Sequence, residues 1–258
     1  MSENNHIYFE TSGKGKPILF IHGLGSSSQD WEYQINFFSK FYKTISVDLR
    51  GHGKTGSIAG EYSIIKFSND IAEILCNETE DTTVVVGISM GGMVAFQMAV
   101  DYPCLVDKLI IINSFVEMPM DVKANRKALR IRKLIPKIIG MKAMGRIIAK
   151  KVFPYNHQKK LRKIMIKRWA ENKIKDYIKS VDAMAGWSVK ERLGEIKCPV
   201  LIIGSEFDYI DNTEKEKYTR LIPNAKLKII PDAHHAVTVE KPDVLNKIIA
   251  EFLEKSKG

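Results

Sequence analysis

Gly87-Ile88-Ser89-Met90-Gly91 places a hydroxyl between glycines at −2 and +2, and Gly92 follows. A serine hydroxyl attacks a carbonyl only when a base takes its proton and a tight turn exposes its oxygen. Flanking glycines leave room for the strained backbone of such a turn. Alone the pattern is weak: a chain this long matches it by chance with odds of roughly one in ten. Its setting adds weight, because the β-branched run Thr83 to Val86 precedes it and the small-residue stretch Gly91-Gly92-Met93-Val94-Ala95-Phe96 follows. Strand, turn and helix in that order are what the motif requires. The alternative is a glycine-rich turn with a solvent-facing serine.

The other parts of an acyl-transfer site can be sought in the same way. His22-Gly23-Leu24-Gly25 follows the first apolar run. Backbone amides stabilise the negative charge that develops on a carbonyl oxygen. The amides of Leu24 and of Met90, next after the serine, are the expected donors, with His22 packing beneath. A base must come from a loop after a strand, at the edge where Ser89 emerges. Of the six histidines, His234 and His235 follow Leu227 to Ile230 through Pro231-Asp232-Ala233, whereas His52 lies in the tight turn Arg50-Gly51-His52-Gly53. Spacing does not choose between His234 and His235. An orienting carboxylate would hold the imidazole in its tautomer. Asp208, Glu206 and Asp211, all after Val200 to Ile203, are available, and the order serine, acid, histidine suits the fold the motif implies.

These groups need a scaffold, and the chain supplies a rhythm for one. The apolar runs Pro17 to Ile21, Thr44 to Leu49, Thr83 to Val86, Leu109 to Ile112, Val200 to Ile203 and Leu227 to Ile230 read as buried parallel strands. Helix patterns over Ile64 to Leu75, Met90 to Asp101, Thr213 to Leu221 and Pro242 to Leu253 lie between or after them. The predicted fold class is α/β, a mostly parallel doubly wound sheet covered on both faces. Residues 115–187 interrupt the rhythm. They hold no convincing strand; Ile131, Leu134, Ile135, Ile138, Ile139, Ile147 and Ile148 recur at helical spacing among lysines and arginines. Pro136, Gly140, Gly145 and Pro154 are expected to break the segment. It reads as a helical insertion, with residues 1–114 and 188–258 forming the core.

Composition is that of an ordinary globular chain, 45% hydrophobic and 27% charged. Cys76, Cys104 and Cys198 are an odd number, widely spaced, and suggest neither a disulfide framework nor a metal cluster. The polar stretch Met1 to Glu10 lacks the apolar core of a secretory signal, and no run approaches a membrane span. A cytoplasmic setting is the default expectation. The net charge of +10 is unevenly placed: between Glu117 and Arg192 there are 22 Lys or Arg against six Asp or Glu.

With these segments in view, the chain resembles the α/β-hydrolase superfamily from end to end. The resemblance rests on His22-Gly23-Leu24-Gly25, Asp48-Leu49-Arg50-Gly51-His52-Gly53, Gly87-Ile88-Ser89-Met90-Gly91-Gly92, Gly204-Ser205-Glu206-Phe207-Asp208 and Ala233-His234-His235-Ala236. It looks like the branch with a helical cap, which includes carboxylesterases, lipases, C–C hydrolases and cofactor-free haloperoxidases. The resemblance puts Asp208 on the acid position, four residues after the glycine that ends its strand. It puts His235 on the base position, with His234 where glycine is usual. Serine at 89 argues against haloalkane dehalogenase activity, which uses aspartate there. Asn113 occupies an alternative acid position but has no carboxylate to give. The resemblance further implies that the insertion roofs the site. Met141, Met144, Trp169 and Trp187 are then candidates for an apolar substrate wall, although helix packing explains such residues equally well.

The expected activity is hydrolysis of a carboxylic ester or thioester through an acyl-Ser89 intermediate, with no metal or organic cofactor. A ligand receptor on the same scaffold, a C–C hydrolase and an acyltransferase are the alternatives. The basic segment reads first as a solvated face. A second reading is steering of an anionic substrate or acidic carrier, for example an acyl group on carrier protein or coenzyme A, by Lys123, Arg126, Lys127, Arg130, Arg132 and Lys133. A third is transient contact with an anionic membrane. No groove-reading motif supports nucleic acid.

Overall fold

Alternation of side chains along the strands builds two cores. In β2 (Pro17–Ile21), Leu19 and Ile21 face one cluster while Ile18 and Phe20 face the other. A computed structural model of the chain describes residues 6–255; the first five residues of the polar N-terminal stretch lie outside them. The sheet has seven strands in the order β1-β3-β2-β4-β5-β6-β7, where β1 is Phe9–Ser12, β3 Lys43–Val47, β4 Thr83–Ile88, β5 Val106–Ile112, β6 Val200–Ser205 and β7 Ala225–Ile230. Every neighbouring pair is parallel except β1 with β3. This is the mostly parallel doubly wound sheet that the alternating runs predict.

Helices α2 (Ile64–Glu78) and α3 (Met90–Asp101) cover the face bearing Leu19, Val85 and Ile111. Helices α1 (Glu32–Phe38) and α8 (Pro242–Lys255) cover the face bearing Phe20, Val86 and Ile112. Each such aliphatic or aromatic side chain contributes about 1.5–3 kcal/mol on burial. The edge strand β1 and helix α1 have no counterpart in the sequence reading. Burial on β1 runs from half-buried to exposed, and its residues Phe-Glu-Thr-Ser show no apolar run.

Register sets the site's location. Ile21 pairs with Gly87, Ile88 with Ile112, Ile112 with Ile203, and Ser205 with Ile230. The loops after β2, β4, β5, β6 and β7 therefore leave from one edge of the sheet. Strand order reverses direction between β2 and β4, and the C-terminal edge at such a reversal is where open α/β sheets leave a crevice.

Between β5 and β6 lie α4 (Lys123–Val152), α5 (Lys159–Ala170) and α6 (Ile174–Met184). The chain enters and leaves this segment side by side. Met118 N–H donates to the Trp187 carbonyl at 2.7 Å and Val189 N–H to the Val116 carbonyl at 2.9 Å, beside a Glu117–Ser188 bridge. The segment's breaks differ from expectation. Within α4 only Gly140 leaves helical geometry, at φ 76° and ψ 166°. Pro136 lies inside the helix, and Pro154 comes after its end. Gly145 also stays helical; its missing Cβ is what α5 needs, because a Cβ there would sit 2.9 Å from the Trp169 Cβ. Among the described residues no helix is long and apolar enough to cross a membrane.

Candidate active site

Ser89 follows β4 at φ 55° and ψ −119°, a conformation an L-residue holds at a cost of about 1–3 kcal/mol. Its neighbours explain how the turn closes. A Cβ on Gly87 would lie 2.3 Å from the Gly91 carbonyl oxygen, and one on Gly91 would lie 2.2 Å from that of Ile21. The glycines at −2 and +2 are therefore required by close backbone approach. Ser89 N–H donates to the Ile112 carbonyl at 3.0 Å, and the Ser114 hydroxyl donates to the Ser89 carbonyl at 2.7 Å. Met90 opens α3, so the positive end of that helix lies next to the serine. Gly23 packs against Ser89, its absent Cβ 3.3 Å from that of the serine, and Leu24 lines the same cavity.

His235 and Asp208 meet across two loops, with Nδ1 2.7 Å from Oδ1. A carboxylate on Nδ1 fixes the tautomer that leaves Nε2 as acceptor. Asp208 is fully buried, and its second oxygen accepts from Lys215 Nζ at 2.8 Å. Burial alone would raise the Asp208 carboxyl; His235 and Lys215 outweigh it and hold the group below the usual carboxylate range. Lys215, on α7 (Asn212–Thr219), is itself fully buried and also donates to the Ile210 carbonyl at 2.6 Å and Asn212 Oδ1 at 3.1 Å. Burial draws its ammonium pKa down against the pull of Asp208.

The rival residues are occupied elsewhere. His234 contacts Glu240 through Nδ1 at 2.9 Å and donates its backbone N–H to the same carboxylate at 2.6 Å. Glu206 accepts the Asp232 N–H at 2.7 Å, and Asp211 caps α7 by accepting the Thr213 N–H at 2.9 Å. His22 bridges the Gly23 carbonyl and the Leu49 N–H, while burial pushes the His52 imidazole down to about 3. Asn113, at φ 46°, accepts the Ser205 N–H at 2.8 Å and donates to the Ser205 hydroxyl at 2.8 Å and the His235 carbonyl at 2.9 Å. It ties the end of β5 to both the acid and the histidine loops.

Ser89 and His235 open onto one cavity of about 1020 Å³. Its walls include Leu129, Ile135, Met144, Ile148 and Trp169 from the helical segment. Met144 and Trp169 line it. Of the other two expected wall residues, Met141 and Trp187, neither does: Met141 is packed in the core, and Trp187 donates its indole N–H to Gln97 Oε1 at 2.7 Å. Arg132 departs in the other direction. Expected on the outer basic face, it lines the cavity, and its guanidinium faces the phenols of Tyr177 and Tyr209.

Tyr209 was not anticipated. Its ring stacks on the His235 imidazole with centroids 4.0 Å apart, and its hydroxyl neighbours both Ser89 and Arg132. These hydroxyl contacts fall short of regular hydrogen-bond geometry. No regular hydrogen bond joins Ser89 to His235 among the described residues, so the phenol is the serine's loose neighbour in this state. Catalytic hydrogen bonds are often long before substrate binds. Nor, among the described residues, do three His, Cys, Asp or Glu side chains cluster as a metal would need.

Sheet order, the strained serine and the acid–histidine contact together define an α/β hydrolase, and the chain belongs to that family: residues 16–242 match the family described as alpha/beta hydrolase fold. Among its relatives is the (E)-2-((N-methylformamido)methylene)succinate hydrolase of Acinetobacter baylyi, 26% identical over 269 residues that cover 98% of this chain and 96% of that protein. A thermophilic esterase from Thermogutta terrifontis superposes with a TM-score of 0.87 at 25% identity, covering 96% of this chain and 93% of the other. The enol-lactonase from Burkholderia xenovorans, at 19% identity and a TM-score of 0.87 over 96% of each chain, shares the fold.

Proposed function

We propose that this hydrolase cleaves a carboxylic ester or thioester by way of an acyl-Ser89 intermediate. His235 Nε2 takes the Ser89 proton as Oγ attacks the carbonyl carbon. The amides of Leu24 and Met90 hold the oxyanion. Collapse breaks the bond to the leaving alcohol or thiol, which takes the proton from the imidazolium. Water then attacks the acyl carbon, gives its proton to His235, and the acid departs as Ser89 recovers its hydrogen. Asp208 stays ionised, orients the imidazole and stabilises its charged form. Lys215 and Asn113 are positioning residues for the acid and histidine loops. Residues 115–187 serve as a cap that roofs the site and shapes the acyl pocket.

The observation that carries this reading is the 2.7 Å contact of His235 Nδ1 with Asp208 beside a serine held at φ 55°, with Ser89 and His235 facing one cavity. A receptor has no need of a strained hydroxyl next to an oriented base. A fluorophosphonate probe tests it. The wild type is expected to label, and Ser89→Ala to lose the label while keeping its melting temperature within about 2 °C. A folded wild type that does not label would sink the reading.

A further inference from the structure

The cavity beside Ser89 holds more positive charge than its own acids neutralise. Of the acidic side chains that line it, Glu117 pairs with Lys190 at 2.8 Å, Glu214 with Lys217 at 2.6 Å, and Asp30 with Arg168. Asp208, buried behind His235, is taken up by His235 and Lys215. Two lining cations, Arg132 and Lys151, have no carboxylate partner among the described residues. Both turn to Tyr209. Lys151 Nζ lies 4.7 Å from the ring centroid, and Arg132 faces the hydroxyl that also neighbours Ser89.

A half-buried guanidinium facing only neutral phenols loses hydration without gaining a counter-ion, an arrangement that costs free energy unless an anion joins it. Tyr209 does not supply one. Burial pushes its phenol above the ordinary range despite Arg132, so it stays neutral. We propose that Arg132 anchors a free carboxylate on the substrate, so that the ester cleaved at Ser89 is a half-ester of a dicarboxylic acid. The planar guanidinium matches a carboxylate with two parallel N–H donors, and Lys151 adds a second positive charge. Arg132 and Ser89 adjoin one phenol oxygen. That closeness calls for a short linker between carboxylate and scissile carbonyl. The apolar walls at Leu129, Ile135 and Met144 suit such methylenes. The anchor also supplies orientation, because a carboxylate held there directs the far carbonyl toward the serine.

This inference rests on the hydrolase reading above, and the test separates the two. Phenyl hydrogen glutarate is compared with phenyl pentanoate, a neutral ester of matched length, after subtraction of spontaneous cleavage. At about 500 mM NaCl, where outer charges are screened, the wild type is expected to favour the half-ester roughly tenfold or more in kcat/KM, chiefly through KM, and Arg132→Gln to bring the ratio to within about twofold of one. Equal kcat/KM for the two esters in the wild type overturns the proposal, as does an unchanged ratio in folded Arg132→Gln. Arg132→Lys keeps the charge without the fork and is expected between the two; it serves as the variant if Arg132→Gln does not fold, with an unchanged ratio again fatal. If neither ester is cleaved and the fluorophosphonate does not label, the hydrolase reading fails by itself. Calorimetric titration of Ser89→Ala with glutarate then decides the anion site: binding weakened about tenfold or more by adding the Arg132 substitution supports it, and no binding overturns it.

Discussion

At the scale of single residues, the two adjacent histidines have separate partners. His235 faces Asp208 and the cavity, whereas His234 closes on Glu240. His235→Ala is expected to lose about a thousandfold or more in turnover, as deletions of a general base do, while His234→Ala should lose less than about tenfold. Steady-state kinetics of both variants on one ester checks this, and the opposite ranking would reassign the base. Lys215 gives a pH signature. The folded pKa of Asp208 lies below its unfolded value. Its ionisation therefore contributes stability that is full above about pH 4 and fades as pH falls through the folded pKa. Lys215→Met removes one of the two cations that hold the carboxyl down, so burial regains weight and the folded pKa rises. The variant should lose about 3 kcal/mol at neutral pH, and because its folded Asp208 pKa then lies nearer to or above the unfolded value, the fall in stability on acidification should be shallower than in the wild type. Melting temperatures taken from pH 3 to 7 measure the slope, and parallel acid limbs would show that Lys215 does not hold Asp208 down.

At the scale of elements, what the sequence displayed depended on how locally each constraint is written. The Gly87-to-Gly91 turn could be read because both glycines are demanded by backbone contacts within a few residues or with the adjoining strand. Strands β2 and β4 are fully buried and show as unbroken apolar runs. Lys215 could not be read: α7 spells Asn-Thr-Glu-Lys-Glu-Lys-Tyr-Thr, a surface-like helix, and only tertiary packing makes one of its two lysines a buried partner of Asp208. The same holds for Arg132, whose neighbours Ile131 and Lys133 are an exposed isoleucine and a lysine paired with Asp182. Helix α4 shows that glycines alike in sequence act differently. Gly140 has open space around its absent Cβ but a backbone conformation close to glycine-only, so Gly140→Ala should cost about 1–3 kcal/mol. Gly145 has ordinary helical backbone but no room, so Gly145→Ala should push Trp169, a cavity wall, and change acyl-chain preference as well as stability. Thermal melts and a chain-length panel on the two variants separate the effects. A chain-length profile altered by Gly140→Ala and untouched by Gly145→Ala would contradict this division.

For the whole molecule, the charge asymmetry bears on how substrate arrives. The 22 basic residues between Glu117 and Arg192 meet few partners: Lys133 pairs with Asp182, Arg168 with Asp30, Lys190 with Glu117, and Arg192 with Asp101 and Glu195. Lys123, Lys127 and Arg130 are exposed and have no ion pair among the described residues. Their field extends over about a Debye length, roughly 10 Å at 0.1 M salt, and weakens as salt is added. Arg132, half-buried inside the cavity, is screened much less. The two sources of attraction therefore separate by salt. Between about 20 and 500 mM NaCl, kcat/KM for an anionic ester should fall several-fold while that for a neutral ester stays within about twofold. Replacing Lys123, Lys127 and Arg130 together by Gln should flatten the salt dependence and leave the high-salt preference for the anionic ester in place, since that preference belongs to the cavity. A triple variant with the wild-type salt slope would show that the outer charge does not steer substrate and is only a solvated face.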